Sequence, residues 1–236
     1  MSMRKIGFSH SVLFKVHDVY TNENIQLFID CGCTAIEVNF HHANQASLLE
    51  NITESVRGFK YISIHSPVDI RYGNNPDTRS ILRKIEELYL KLNAKLIVVH
   101  PDLVDDWEVF NDYKVNWAIE NMDDRKEHFK DALDLKEFFI SNPFWGLVLD
   151  VGHCNSNDKS MILAHDLITE FKDRIREIHL SGYKIFHEPL NQTGQVEIIN
   201  SCKQIDVPII IESTFEKSDG IEGAKKEFDY IIEKLK

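Results

Sequence analysis

The stretch Gly146-Leu147-Val148-Leu149-Asp150-Val151-Gly152-His153 sets the reading of the whole chain. A short, unbroken apolar run ends on a carboxylate, and a glycine and a histidine follow at once. A run without polar alternation is the pattern of a strand buried on both faces, and hence of a parallel sheet covered by helices. Asp150 at its end is no ordinary core residue, because burying an unpaired carboxylate costs several kcal/mol or more.

Outward from this stretch the pattern recurs. Upstream are Lys5-Ile6-Gly7-Phe8-Ser9-His10, Ala35-Ile36-Glu37-Val38-Asn39-Phe40 and Tyr61-Ile62-Ser63-Ile64-His65. Lys95-Leu96-Ile97-Val98-Val99-His100 and Val115-Asn116-Trp117-Ala118-Ile119-Glu120 come next. Downstream are Arg176-Glu177-Ile178-His179-Leu180 and Pro208-Ile209-Ile210-Ile211-Glu212. Helical periods fill 22–31, 78–93, 127–140, 159–172 and 221–235, while 102–114 has room only for a short helix. Eight strand-plus-helix units, their starts 20–34 residues apart, predict a single-domain (β/α)8 TIM barrel over residues 1–236. A doubly wound sheet would usually carry a Gly-rich phosphate loop after its first strand, and none follows here.

Composition bounds the function. Of 236 residues 43% are hydrophobic and 28% charged, as in a soluble globular protein with a large core. The net charge of −11 argues against a general nucleic-acid or anionic-membrane binder. No apolar run reaches the ~20 residues that span a bilayer. Arg4-Lys5 leads straight into a strand with no signal-peptide pattern, so the expected location is cytoplasmic. Four cysteines are too few for a disulfide framework in a chain of this length. Cys31 and Cys33 are expected near the end of the first helix, away from the barrel mouth, and Cys154 as a small hydrophobe.

In such a barrel the chemistry sits at the C-terminal strand ends. Eight of the eleven histidines fall there: His10, His41, His42, His65, His100, His153, His179 and His187. Even scatter would place about two. Taken singly, each has a plain alternative. His10 or His65 would serve as a packed rim residue, and His41 and His42 as caps in a solvated loop. A strand-end glutamate would pair with a lysine. Taken jointly, Glu120, Asp150 and Glu212 closing apolar runs beside His179 are most simply compensated by a divalent metal.

Six short motifs now carry a resemblance: Ile64-His65-Ser66-Pro67, Val99-His100-Pro101, Ala118-Ile119-Glu120-Asn121-Met122, Leu149-Asp150-Val151-Gly152-His153, Glu177-Ile178-His179-Leu180 and Ile210-Ile211-Glu212. Over nearly its whole length the chain resembles the xylose-isomerase-like barrel superfamily, which holds sugar and sugar-phosphate isomerases and epimerases and the endonuclease IV type of repair enzyme. The resemblance implies a metal site of Glu120, Asp150, His179 and Glu212. In the epimerase-like branch Glu120 and Glu212 also move protons next to a metal-polarised carbonyl, and His153 contacts a substrate hydroxyl. In the endonuclease branch His65, His100 and Glu120 hold one metal. Glu120 bridges to a second at Asp150, His179 and Glu212, and His153 and His187 serve a third.

The chain departs from both patterns. Ile185 stands where the endonuclease branch expects an Asp, and the acidic balance opposes a duplex groove. Ser181-Gly182-Tyr183-Lys184 replaces the Arg or acidic residue that often helps bind substrate in the epimerases. The expectation is therefore a metal-dependent isomerase or epimerase of a small sugar or sugar phosphate, with no nucleic-acid or membrane partner. The alternatives are an endonuclease IV-like phosphoester hydrolase, a lyase or small-molecule hydrolase, and a non-catalytic metal-binding barrel. Zn²⁺ is favoured if His65 and His100 participate, Mn²⁺ or Mg²⁺ if the site is mainly carboxylate. Arg125 and Lys184 are candidate grips for a substrate anion, although Arg125 and Lys126 would equally pair with Asp123 and Asp124.

Overall fold

The computed structural model describes residues 4–236, so the first three residues of the expected domain lie outside it. The strands β1 (Ile6–Ser9), β2 (Ala35–Asn39), β3 (Tyr61–His65), β4 (Leu96–Val99), β5 (Trp117–Glu120), β6 (Gly146–Asp150), β7 (Ile175–Leu180) and β8 (Ile209–Ile211) follow one another around the sheet. All pair in parallel, and β8 closes on β1, giving the (β/α)8 barrel. No helix among the described residues is long and apolar enough to cross a membrane.

Helices α1 (Asn22–Asp30), α2 (Thr53–Val56), α3 (Pro76–Leu92), α4 (Ala132–Ser141), α5 (Val151–Asn157), α6 (Ile162–Phe171), α7 (Leu190–Thr193), α8 (Val196–Cys202) and α9 (Gly220–Leu235) lie between and after the strands. Capping chemistry explains several boundaries. Asn75 accepts from the Thr78 N–H, Pro76 opens α3, and left-handed Asn93 ends it. α4 begins at Ala132 and not near 127, because the Asp131 carboxylate accepts from the Leu133 and Asp134 N–H groups. The short α2, α5, α7 and α8 were not anticipated, since four to seven residues are too few to show a period.

Between β4 and β5 two 3-10 turns, Pro101–Leu103 and Trp107–Asp112, replace a full helix. Their aromatic side chains supply the missing cover. Trp107 lies 4.6 Å from Phe138 and 5.2 Å from Trp145, ring centre to ring centre, and Phe110 lies 4.9 Å from Trp117.

The main core fills the space between strands and helices, while small separate apolar clusters occupy the barrel interior. Leu96, Val98, Ala118 and Val148 form one of these; Ala35, Tyr61 and Ile210 form another. Side chains alternate along a strand, so two residues beyond Ala118, Val148 and Ile210 the chain again points inward. Those positions are Glu120, Asp150 and Glu212. On β7 an irregularity at the β6 pairing leaves Arg176 exposed and sets Asp150 opposite His179. Glu177 and His179 consequently share the inner face.

Candidate metal centre

Six consecutive strands, β3 to β8, bring polar groups to the mouth at or just after their ends. Glu120 and Asp150 are the last residues of β5 and β6, His65 is the last of β3, and His100 and Glu212 follow β4 and β8 directly. Glu120 is the hub. Its Oε1 lies 3.1 Å from His179 Nδ1, and its Oε2 lies 3.1 Å from His100 Nε2 and 3.4 Å from His65 Nε2. Glu212 Oε2 reaches the same His179 Nδ1 at 3.4 Å. His153 Nε2 lies 3.5 Å from Asp150 Oδ2.

Hydrogen bonds fix which ring nitrogens face the centre. His65 Nδ1 sits 3.0 Å from the Ser66 carbonyl and His153 Nδ1 2.8 Å from the Asn121 carbonyl. A carbonyl only accepts, so each Nδ1 carries a proton and each Nε2 is the nitrogen turned toward the site. Asp150 Oδ1 accepts from the His153 N–H at 2.7 Å, capping α5. Its Oδ2 is buried without a hydrogen-bond partner.

The donor set fits a divalent ion. Ligand atoms of Glu120, Asp150, His179 and Glu212 lie within 4.8 Å of one another, as do those of His65, His100 and Glu120. Donors on opposite sides of one ion at bonds of ~2.2 Å would be about 4.4 Å apart. The orphaned Asp150 Oδ2 is an acceptor that such an ion would satisfy.

The electrostatics agree. Burial opposes the charged form of Glu120, but His179, His100 and His65 outweigh it and hold the carboxyl well below the ordinary range. Glu212 is likewise held down to about 2, burial being overcome chiefly by His179. Asp150 is pushed up to about 7 by burial, with Glu120 and Glu212 adding repulsion. Burial also opposes a charged His65, yet Glu120, Glu37 and Glu212 carry it up to about 9. These are the signs of a site crowded with negative charge, which a cation would relieve.

A cavity of about 320 Å³ opens over these groups, with His65, His100, Glu120, His153, His187 and Glu212 on its wall. A neighbouring space of about 570 Å³ shares His41, Phe186, His187 and Glu212 with it. His187, at φ 51°, lies with Nδ1 2.9 Å from Ser181 Oγ and 4.0 Å from Glu212 Oε2, and burial pushes its pKa down to about 4. His41 lines both spaces, whereas His42 caps the following 3-10 helix and sits 3.1 Å from Asp69. Buried His10 stays beneath the rim, its Nδ1 accepting from the Asn39 N–H at 3.0 Å.

The cations are largely engaged. Arg125 forms a two-pronged ion pair with Asp123 and stacks 4.3 Å over the Phe186 ring. Tyr183 donates to the same Asp123 at 3.0 Å, and Lys126 pairs with Asp102 at 2.6 Å. Arg125 and Lys126 do line the smaller cavity; Lys184 is exposed and lines neither space. Cys33 and Cys154 are buried and Cys31 partly so.

Sequence reasoning passed over Glu37 and Glu177, which approach the far side of His179, and Asn121 and Glu227, which position the ligands. Glu227 of α9 accepts from Leu190 N, Asn191 N and Ser213 Oγ at 2.7–2.8 Å. The loops after β7 and β8 are further joined where Thr214 N donates to the His187 carbonyl at 2.8 Å.

No protein-family model matches the sequence, and no curated protein is significantly similar to it. Solved structures are similar in fold. A D-psicose 3-epimerase with D-tagatose from Clostridium cellulolyticum H10 superposes with a TM-score of 0.68 at 14% identity, over 98% of this chain and 99% of that one. A sugar phosphate isomerase/epimerase from Parabacteroides distasonis gives 0.62 at 14% identity, over 98% and 96%. The probable 3-DHS dehydratase AsbF, involved in petrobactin synthesis in Bacillus anthracis, gives 0.70 at 14% identity, over 98% and 99%. The shared feature is the (β/α)8 barrel fold over nearly the whole chain.

Proposed function

We propose that this protein is a divalent-metal-dependent isomerase or epimerase of a small sugar or sugar phosphate. The observation that carries the reading is the convergence of Glu120, Asp150, His179 and Glu212, from four consecutive strands, at the base of a cavity of about 320 Å³. Those four residues would hold the ion, which when bound would polarise a substrate carbonyl as a Lewis acid. Glu120 and Glu212 both stay ionised near neutrality, so each is able to accept a proton from the carbon beside that carbonyl and return it. His153, its Nε2 turned to the site by the Asn121 carbonyl, would orient a hydroxyl.

The likeness to epimerase barrels, two of them named for sugars or sugar phosphates, supports this substrate class. The test is deuterium exchange. With the metal-loaded protein in D₂O, a panel of ketoses and ketose phosphates should include one that gains deuterium beside its carbonyl, and chelator should stop the exchange. A fully loaded protein that exchanges none of them overturns the assignment.

One observation favours a second reading. His65 Nε2 and His100 Nε2 meet at Glu120 Oε2 and form another set of cation ligands sharing that carboxylate. Were the two sets to hold an ion each, the pair would supply the charge stabilisation that a phosphoester hydrolase needs. Two ions per chain, together with turnover of a simple phosphodiester, would put this reading first.

A further inference from the structure

The metal centre has a floor that neither the ligand set nor the proposed chemistry uses. Beneath it, His179 Nε2 lies 3.1 Å from Glu177 Oε1 and 3.2 Å from Glu37 Oε2. All three side chains are fully buried in the barrel interior. Glu37 comes from β2 and Glu177 from β7, with β8 and β1 between them in the barrel, so the two carboxylates converge on one ring nitrogen from separate strands. Both Glu37 oxygens and Glu177 Oε2 lack hydrogen-bond partners, and the Tyr61 hydroxyl faces Glu177. On the other edge of the ring, Nδ1 meets Glu120 and Glu212.

We propose that Glu37 and Glu177 are positioning residues that make His179 a charge-enriched metal ligand. This rests on the reading of the mouth as a metal centre. With two carboxylates on one edge, Nε2 carries a proton, so Nδ1 is the nitrogen that would give its lone pair to an ion. With an ion bound above, the pair would place negative charge directly behind the ligand, where burial leaves it little screened, and so strengthen the pull on that ion. One carboxylate would suffice to fix the ring. The second contributes field, and its cost in the metal-free protein is visible in the unpartnered oxygens.

The test uses Glu37→Gln and Glu177→Gln in the full chain. Glutamine keeps the shape and an oxygen facing Nε2–H, so the Glu177 hydrogen bond and the packing of Glu37 are retained while the carboxylate charge is removed. Affinities for Zn²⁺ and Mn²⁺ are measured by competition with a chelator, and melting temperatures with and without each metal. Each variant should bind about 10–100-fold more weakly. Its metal-free melting temperature should change little, while the rise on adding metal shrinks. A merely structural role would lower both melting temperatures alike and leave affinity unchanged, and that outcome overturns the proposal. If one variant fails to fold, the other carries the test. Wild type that takes up neither metal overturns the metal centre and its floor together; wild type that binds as tightly as both variants do overturns the floor alone.

Discussion

Asn121 and Asp150 exchange two hydrogen bonds: Asn121 Nδ2 donates to the Asp150 carbonyl at 2.9 Å, and the Asp150 N–H donates to Asn121 Oδ1 at 2.8 Å. The side-chain amide acts as a peptide group and extends the pairing of β5 with β6 past the end of β5. The Asn121 carbonyl meanwhile fixes His153. Asn121→Leu keeps the size but strands two buried backbone groups, which should cost roughly 2–4 kcal/mol. It should also weaken metal binding about tenfold or more by loosening Asp150. Denaturant unfolding and chelator competition measure the two effects; a variant with wild-type values in both would show the amide to be idle.

Acidity should act on the metal-free and metal-loaded proteins in different ways. His65 is raised from 6.5 to about 9 in the fold, so its contribution is complete below pH 6.5 and is lost as pH rises through 9. Asp150, raised from 3.8 to about 7, has the same sign over a lower window, its contribution being lost between about pH 4 and 7, so the change above pH 7 belongs to His65. The metal-free protein should therefore lose stability between about pH 7 and 9, by on the order of 3 kcal/mol for His65 alone. The loaded protein should not, since the ion replaces those protons. Melting curves over this range decide it, and metal uptake in weak buffer should release protons.

Glu212 carries two tasks in the proposed reaction, and substitution separates them. Glu212→Gln retains an oxygen for the ion but cannot accept the substrate proton, so kcat should fall by about 10²-fold or more even at saturating metal. Should added metal restore full turnover, Glu212 is a ligand only.

The Arg125 guanidinium is committed to Asp123 and covers Phe186, which makes it part of the wall between the loops after β5 and β7. Arg125→Ala should raise KM several-fold for neutral and phosphorylated sugars alike, by roughly 1 kcal/mol from lost stacking and loop order. A rise of about tenfold or more confined to phosphorylated substrates would mean that the guanidinium turns to the ligand instead.

The barrel was legible because most strands are nearly continuous apolar runs, and its candidate ligands because they lie at or beside the ends of those runs at the inward parity. The same habit of reading hid Glu37 and Glu177. Each lies inside a run whose apolar neighbours dominate, and only the barrel's curvature reveals that two distant strands aim them at one imidazole. Asn121 gave no signal, since an asparagine after a strand is an ordinary turn residue. The Arg125–Asp123 pair lies two residues apart and was visible as an alternative; the stack on Phe186 joins positions 61 residues apart and was not. The irregularity at β6 and β7 has no mark in sequence, yet it decides which face of β7 carries His179.

Glu227 ties three groups from two loops to the back of the molecule, so the segments bearing His187 and Glu212 form a single module with α9. Anyone transplanting this mouth onto another barrel, or recombining it with a relative to alter what it accepts, would have to move the last helix too. A graft that kept the loops but took a foreign helix would leave a serine hydroxyl and two amides without their anchor. The cassette to exchange therefore runs from the end of β7 to the C-terminal helix, and its natural seam is behind the barrel, not at the rim.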